Sequence, residues 1–110
     1  MLREKRLIKT STSTIEGREI KSYITVVAAE IVVRHPLIAR LDDAEAGPRN
    51  GRQEDVEEIV RHGRKDATAR LERKAMAVKA DAVVDLKFDY RFFGSASVLF
   101  SASGTAVELK

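Results

Sequence analysis

Glu16, Glu30, His35, Asp42, Asp43, Glu45 and His62 are the side chains best suited to hold a hard divalent cation. Their spacing matches neither a His-Glu-x-x-His helix nor an acidic calcium loop. His35 sits beside Pro36 in a loop, and His62 sits mid-helix next to Gly63 among charged neighbours. Both are expected to be surface residues, which leaves Glu30 and His35 as weak metal candidates. The chain has no cysteine, so disulfides, thiolate nucleophiles and thiolate metal sites are excluded, and a dedicated soft-metal site is not expected. The cofactor class that remains to be considered is a divalent metal ion. Glu30 is notable because it interrupts an apolar run, and burying a carboxylate without a partner costs several kcal/mol. A structural ion pair, a subunit contact or a ligand is therefore expected beside it.

Thr10 to Thr14, with Glu16 and Gly17, puts several hydroxyls next to a turn whose glycine can adopt positive φ. Such a turn can present backbone amides to an anion, though its commoner role is to end a strand. Thr12, Thr14, Glu16 and Gly17 thus join Glu30 and Tyr90 as ligand or subunit-boundary candidates. Asp85, Lys87, Asp89 and Arg91 form an alternating charge ladder, suited to a solvated strand face or to pairing across a boundary. No nucleophile elbow, phosphate loop or dinucleotide fingerprint occurs, and no enzymatic activity is expected.

The elements that would carry these residues follow from hydropathy. Leu7 to Thr10 reads as a short strand. Ile20 to Val33 reads as a long one, with Ile20, Ser22, Ile24, Val26, Ala28, Glu30 and Val32 on one face. Tyr23, Thr25, Val27, Ala29, Ile31 and Val33 fall on the other. Both faces are mainly apolar, so both should be covered. Residues 34–52 are expected to form a loop with a short helical turn over Leu37 to Leu41. Gly47-Pro48 and Asn50-Gly51 mark it as irregular. Val56, Ile59, Val60, Gly63, Ala67, Leu71, Ala75 and Val78 recur at steps of three and four, predicting a helix from Gln53 to Val78. Glu57 with Arg61 and Asp66 with Arg70 are spaced as i,i+4 ion pairs. Gly63 lies on the apolar stripe, where close packing would explain a residue that weakens a helix. Ala82 to Arg91 alternates as a strand. It is predicted to turn Ala82, Val84, Leu86, Phe88, Tyr90 and Phe92 to one side. A last strand, rich in small residues, runs from Ala96 to Leu109. The order β-β-α-β-β predicts an α+β fold, one long helix on an antiparallel sheet. One helix covers one sheet face, and a second copy of the chain is the simplest cover for the other.

The 110 residues fit one domain preceded by a basic tail over 1–6. Apolar residues make up 44% of the chain and charged residues 34%, the latter above the usual quarter, so the surface should be densely ionic. Arg3, Lys5, Arg6 and Lys9 against Glu4 account for the whole net charge of +3. A basic stripe on the fold and a stacking platform are both lacking, which argues against a nucleic-acid interface. No apolar run approaches the roughly 20 residues that span a bilayer, and the amino-terminal residues lack an apolar leader; the cytoplasm is the expected location.

Thr12-Ser13-Thr14-Ile15-Glu16-Gly17 carries a family resemblance, together with Tyr23, Val27 and Glu30, and Ala80-Asp81-Ala82-Val83-Val84. Phe88-Asp89-Tyr90 and the ending Ala102-Ser103-Gly104-Thr105-Ala106-Val107 complete it. In this order and spacing, from about Lys9 to Leu109, the chain resembles the YbjQ-like family. These are small bacterial and archaeal proteins that carry the label "putative heavy-metal-binding". The resemblance implies a small α+β domain in a ring-like homopentamer. Relatives usually carry glycine at the positions of Thr25, Ala29, Lys79 and Asp85, and asparagine at Asp81; larger side chains there are expected to alter backbone approaches or a subunit contact. The expected role is a homo-oligomeric binding or scaffold protein whose sites lie at subunit boundaries. The alternatives are a metal-ion binder, and an RNA- or membrane-surface binder acting through the basic amino terminus.

Overall fold

Alternation of covered and open side chains from Val27 to Arg34 identifies a strand with one face on a core. The computed structural model describes residues 7–34, 50–94 and 96–110, and for 50–55 the backbone alone. The tail over 1–6, His35, the turn over 37–41 and the acids Asp42, Asp43 and Glu45 lie outside these residues. The chain runs β1 (Ile8–Lys9), β2 (Ile20–Arg34), α1 (Asn50–Ala77), β3 (Ala82–Phe93) and β4 (Ser97–Leu109). Strand and helix therefore encroach from both sides on the loop expected over 34–52.

The sheet order is β1-β3-β4-β2. β4 pairs antiparallel with β2 and β3, but β1 pairs parallel with β3, so the sheet is mixed where an antiparallel one was expected. The cause lies in the segment after β1. It crosses beneath the sheet instead of turning back as a hairpin, and its backbone bonds to β3: Thr10 N–H donates to Val83 O (3.0 Å), Leu86 N–H to Thr10 O (3.0 Å) and Asp85 N–H to Thr12 O (2.9 Å). Ile8, Ile15 and Ile20 pack there against Ala82, Val84, Val107 and Leu109, forming a small second core.

The main core lies on the opposite, helix-covered face. Ala67, Leu71 and Ala75 of α1 meet Val27, Ala29, Val83, Val98, Phe100, Ala102 and Ala106. Gly63 is where helix and sheet come closest. A Cβ there would sit 2.5 Å from Cδ2 of the buried Phe100 ring, closer than carbon atoms approach. α1 ends on a left-handed cap: Ala80 N–H donates to Ala75 O (3.1 Å) and Lys79 N–H to Met76 O (3.0 Å), with Lys79 at φ 60°. This pairing is the Schellman motif, and the buried Ala75 and Ala80 supply its apolar contact.

Three irregularities reassign faces relative to strict alternation. The β2 register slips between Ile20 and Ser22 and again between Tyr23 and Thr25, which carries Tyr23 to the face away from the helix. A slip between Val84 and Lys87, with Asp85 at φ 52°, does the same in β3. Ala82 and Val84 therefore face the second core, while Leu86 and Phe88 pack on the helix side. A bulge inserts one unpaired residue and exchanges the faces beyond it.

Candidate functional site

The Thr10–Gly17 turn is largely exposed, its backbone fastened to β3 and its threonine hydroxyls bonded within the turn. Thr10 Oγ1 and Thr12 Oγ1 share a 2.7 Å hydrogen bond, Thr12 N–H donates to Thr10 Oγ1 (3.2 Å), and Thr12 Oγ1–H donates to Thr14 O (2.5 Å). Gly17 has φ +79° with open space around it, and Arg18 N–H donates to Ile15 O (3.1 Å). The turn thus closes locally and fastens Ile15 on the second core. Glu16 is solvent-facing beside it.

Glu30 lies on the face of the sheet away from α1, together with Val26, Ala28 and Val32. It is exposed, with no side-chain hydrogen bond or ion pair among the described residues; the burial expected from its apolar neighbours does not occur within one chain. Register aligns Glu30 with Ser101 and Asp89, and Val32 with Leu99 and Arg91. The charge ladder of β3 and the apolar edge of β2 therefore share one surface. Val26 is 72% and Val32 59% exposed, and Tyr23 beyond the bulge is 67% exposed.

On the helix side, Phe88, Tyr90 and Phe100 form an aromatic cluster. Phe88 stacks on Phe100 at 6.1 Å, Tyr90 lies 6.3 Å from Phe100, and Phe92 meets Tyr90 edge-on at 5.9 Å. Tyr90 forms one wall of a cleft of about 350 Å³ completed by Val56, Glu57, Val60, Arg61 and Arg64 of α1. The Arg64 guanidinium lies 5.8 Å from the Phe88 ring centre, a cation–π contact. The expected ion pairs Glu57–Arg61 and Asp66–Arg70 do not form. Glu58 meets His62 at 3.5 Å, and Arg70 Nη1 donates to Glu30 O (3.3 Å). Lys74 Nζ donates to Ala28 O (2.7 Å). Both carbonyls belong to the outer strand of the sheet, so the helix closes part of an edge that would otherwise invite strand addition.

Sequence reasoning assigned Arg61 and Arg70 only to ion pairs along the helix, and did not single out Arg64 or Lys74. Their positions on the two flanks of the apolar stripe were readable, but which strand each flank meets was not. No three of His, Asp or Glu come together among the described residues in a group able to hold a metal ion. His62 is exposed on α1 and, among the described residues, engages Glu58 alone. The donor set described in a single chain does not fit a heavy-metal centre. No described helix is long and apolar enough to cross a membrane.

Comparison with known proteins agrees with this architecture. A family model described as "Putative heavy-metal-binding" matches residues 7–110. A UPF0145 protein of Pseudomonas fluorescens is 38% identical over 110 residues, covering 94% of this chain and 100% of the relative. Another, from Geobacillus kaustophilus, is 31% identical over 104 residues, with 94% and 99% covered. The crystal structure of a DUF74-family protein of unknown function from Pediococcus pentosaceus superposes with a TM-score of 0.67. It is 16% identical and covers 94% of this chain and 98% of its own, which bears on fold alone.

Proposed function

The chain belongs to the YbjQ-like, UPF0145 family, and from that premise we propose that it works as a homo-oligomeric binding or scaffold protein whose functional surfaces are completed by neighbouring copies. The observation that carries this reading is the open half of the sheet: Val26 and Val32 are 72% and 59% exposed on a strand whose reverse face is core. Valines on a strand normally lie against something, and exposed apolar side chains grouped on one sheet face suit an interface. Lys87, Asp89 and Arg91 border it with both signs of charge, which suits a self-complementary or head-to-tail contact. A ring of five copies is the assembly the family resemblance implies. Light scattering coupled to size exclusion tests it directly. A mass near five times 12.2 kDa is expected, and a stable monomer at micromolar concentration would overturn the reading.

The family label favours a second reading, metal-ion binding. Since the described residues of one chain supply no ligand group, any such site needs donors from more than one copy or from outside them. Glu30, exposed beside the apolar patch, is the donor best placed to be shared. Calorimetric titration with zinc, copper and nickel is expected to give saturable heat that falls on Glu30→Gln; silence at tens of micromolar metal removes this alternative.

A further inference from the structure

We propose that the cleft between α1 and β3 is a binding site for a small aromatic monocarboxylate. Arg61 and Arg64 stand three residues apart on α1, which places their Cβ atoms about 5–6 Å from each other. Both line the cleft, and neither has an ion-pair partner among the described residues. Guanidinium groups recognise carboxylates through paired, parallel hydrogen bonds. Arg64 is already held over the Phe88 ring at 5.8 Å, so less of its freedom is lost when an anion arrives. The Tyr90 hydroxyl makes no hydrogen bond among the described residues and can donate a third.

The body of the ligand is set by the walls. Val56 and Val60 offer an apolar surface, and the Tyr90 ring, itself tilted on Phe100, offers a face on which a flat ring can stack. The volume of about 350 Å³ falls at the small end of ligand pockets. Glu57, on the same wall, opposes a second negative charge. Two guanidiniums against one carboxylate leave a single positive charge to be matched, which selects a monoanion over a dianion. The cleft lies on the helix side, opposite the apolar face assigned to neighbouring copies, so it does not depend on that assignment.

The test is calorimetric titration of the full-length protein at low salt with benzoate, phthalate and inorganic phosphate. Benzoate is expected to bind saturably and more tightly than phthalate or phosphate. Arg61→Gln and Arg64→Gln should each weaken it about tenfold, and Glu57→Gln should narrow the gap between benzoate and phthalate. Arg61 makes no cation–π contact among the described residues, so its variant reports on binding even if Arg64→Gln disturbs the packing of Phe88; circular dichroism melts verify the fold of each. No saturable benzoate heat up to 10 mM, roughly the weak limit for a ligand of this size, overturns the proposal. So does benzoate binding that survives both arginine substitutions, or phosphate binding as tightly as benzoate.

Discussion

Lys79 and Asp85 are the described non-glycine residues with positive φ, at 60° and 52°. That region costs an L-residue about 1–2 kcal/mol and costs glycine almost nothing. The resemblance had already singled out both positions as ones where relatives carry glycine, but the reason is backbone conformation. Lys79 closes the helix cap and Asp85 forms the β3 bulge, so crowding is not the issue. Lys79→Gly is expected to raise stability by about 0.5–1 kcal/mol after the greater entropy of an unfolded glycine is subtracted. Asp85→Gly should gain less, because aspartate tolerates this region better than lysine. Urea midpoints at unchanged slope would measure both, and a fall in the Lys79→Gly midpoint would contradict the argument. Glu30 teaches the opposite lesson. Its neighbours in sequence predicted burial, yet burial is decided by what lies above the strand, and a single chain puts nothing there.

At the scale of elements, the helix stripe, its length to within a few residues and four strands in order were legible, because periods of 2.0 and 3.6 residues leave direct marks in sequence. The parallel pairing of β1 was not, since two residues carry no directional signal. Nor were the bulges; the one in β3 sits where the segment after β1 bonds to Asp85 and Leu86, a contact distant in sequence. The meeting of α1 with the sheet yields a sharp expectation. Gly63→Ala gains about 1 kcal/mol of intrinsic helix preference but drives a methyl into the Phe100 ring, and overpacking typically costs about 1–3 kcal/mol. Net destabilisation should appear in thermal or urea melts, and the double variant Gly63→Ala, Phe100→Leu should recover part of it. A neutral Gly63→Ala would mean that the ring turns aside freely. The aromatic cleft was only half legible: Tyr90 was singled out, but the two arginines facing it required knowing how the helix lies across the strands.

The whole molecule is long for its size, 56 Å by 29 by 24, close to the roughly 50 Å that a 15-residue strand such as β2 spans. One half of that length has cores on both sides of the sheet. The other half has the helix on one side and open valines on the reverse. Such asymmetry is uneconomical for an isolated chain and natural for one member of an assembly. Val26→Asp and Val32→Asp should therefore dissociate the proposed assembly while leaving the helix-side core intact, read as a drop in scattering mass with unchanged far-ultraviolet dichroism. Mass that holds after both changes would place the contact elsewhere. Alternation along β2 already grouped Val26, Ala28, Glu30 and Val32 on one face; what the sequence did not reveal was that this face is the open one, and that a register slip brings Tyr23 onto it.

The crossing strap between β1 and β2 has a consequence for how the fold breathes. Its backbone bonds to Asp85 and Leu86, and its Ile15, with Ile8 and Ile20 at its two ends, seals the second core, so amide protons on both sides of that seam are released by one and the same event. In deuterium exchange, Thr10, Asp85 and Leu86 should open as a single cooperative unit at lower free energy than the Val98–Ala106 stretch of β4, whose flanking strands and helix shield it. Detachment of the strap would bare Ala82, Val84, Val107 and Leu109 while the remainder stays native, making this seam, and not the helix, the first step toward unfolding.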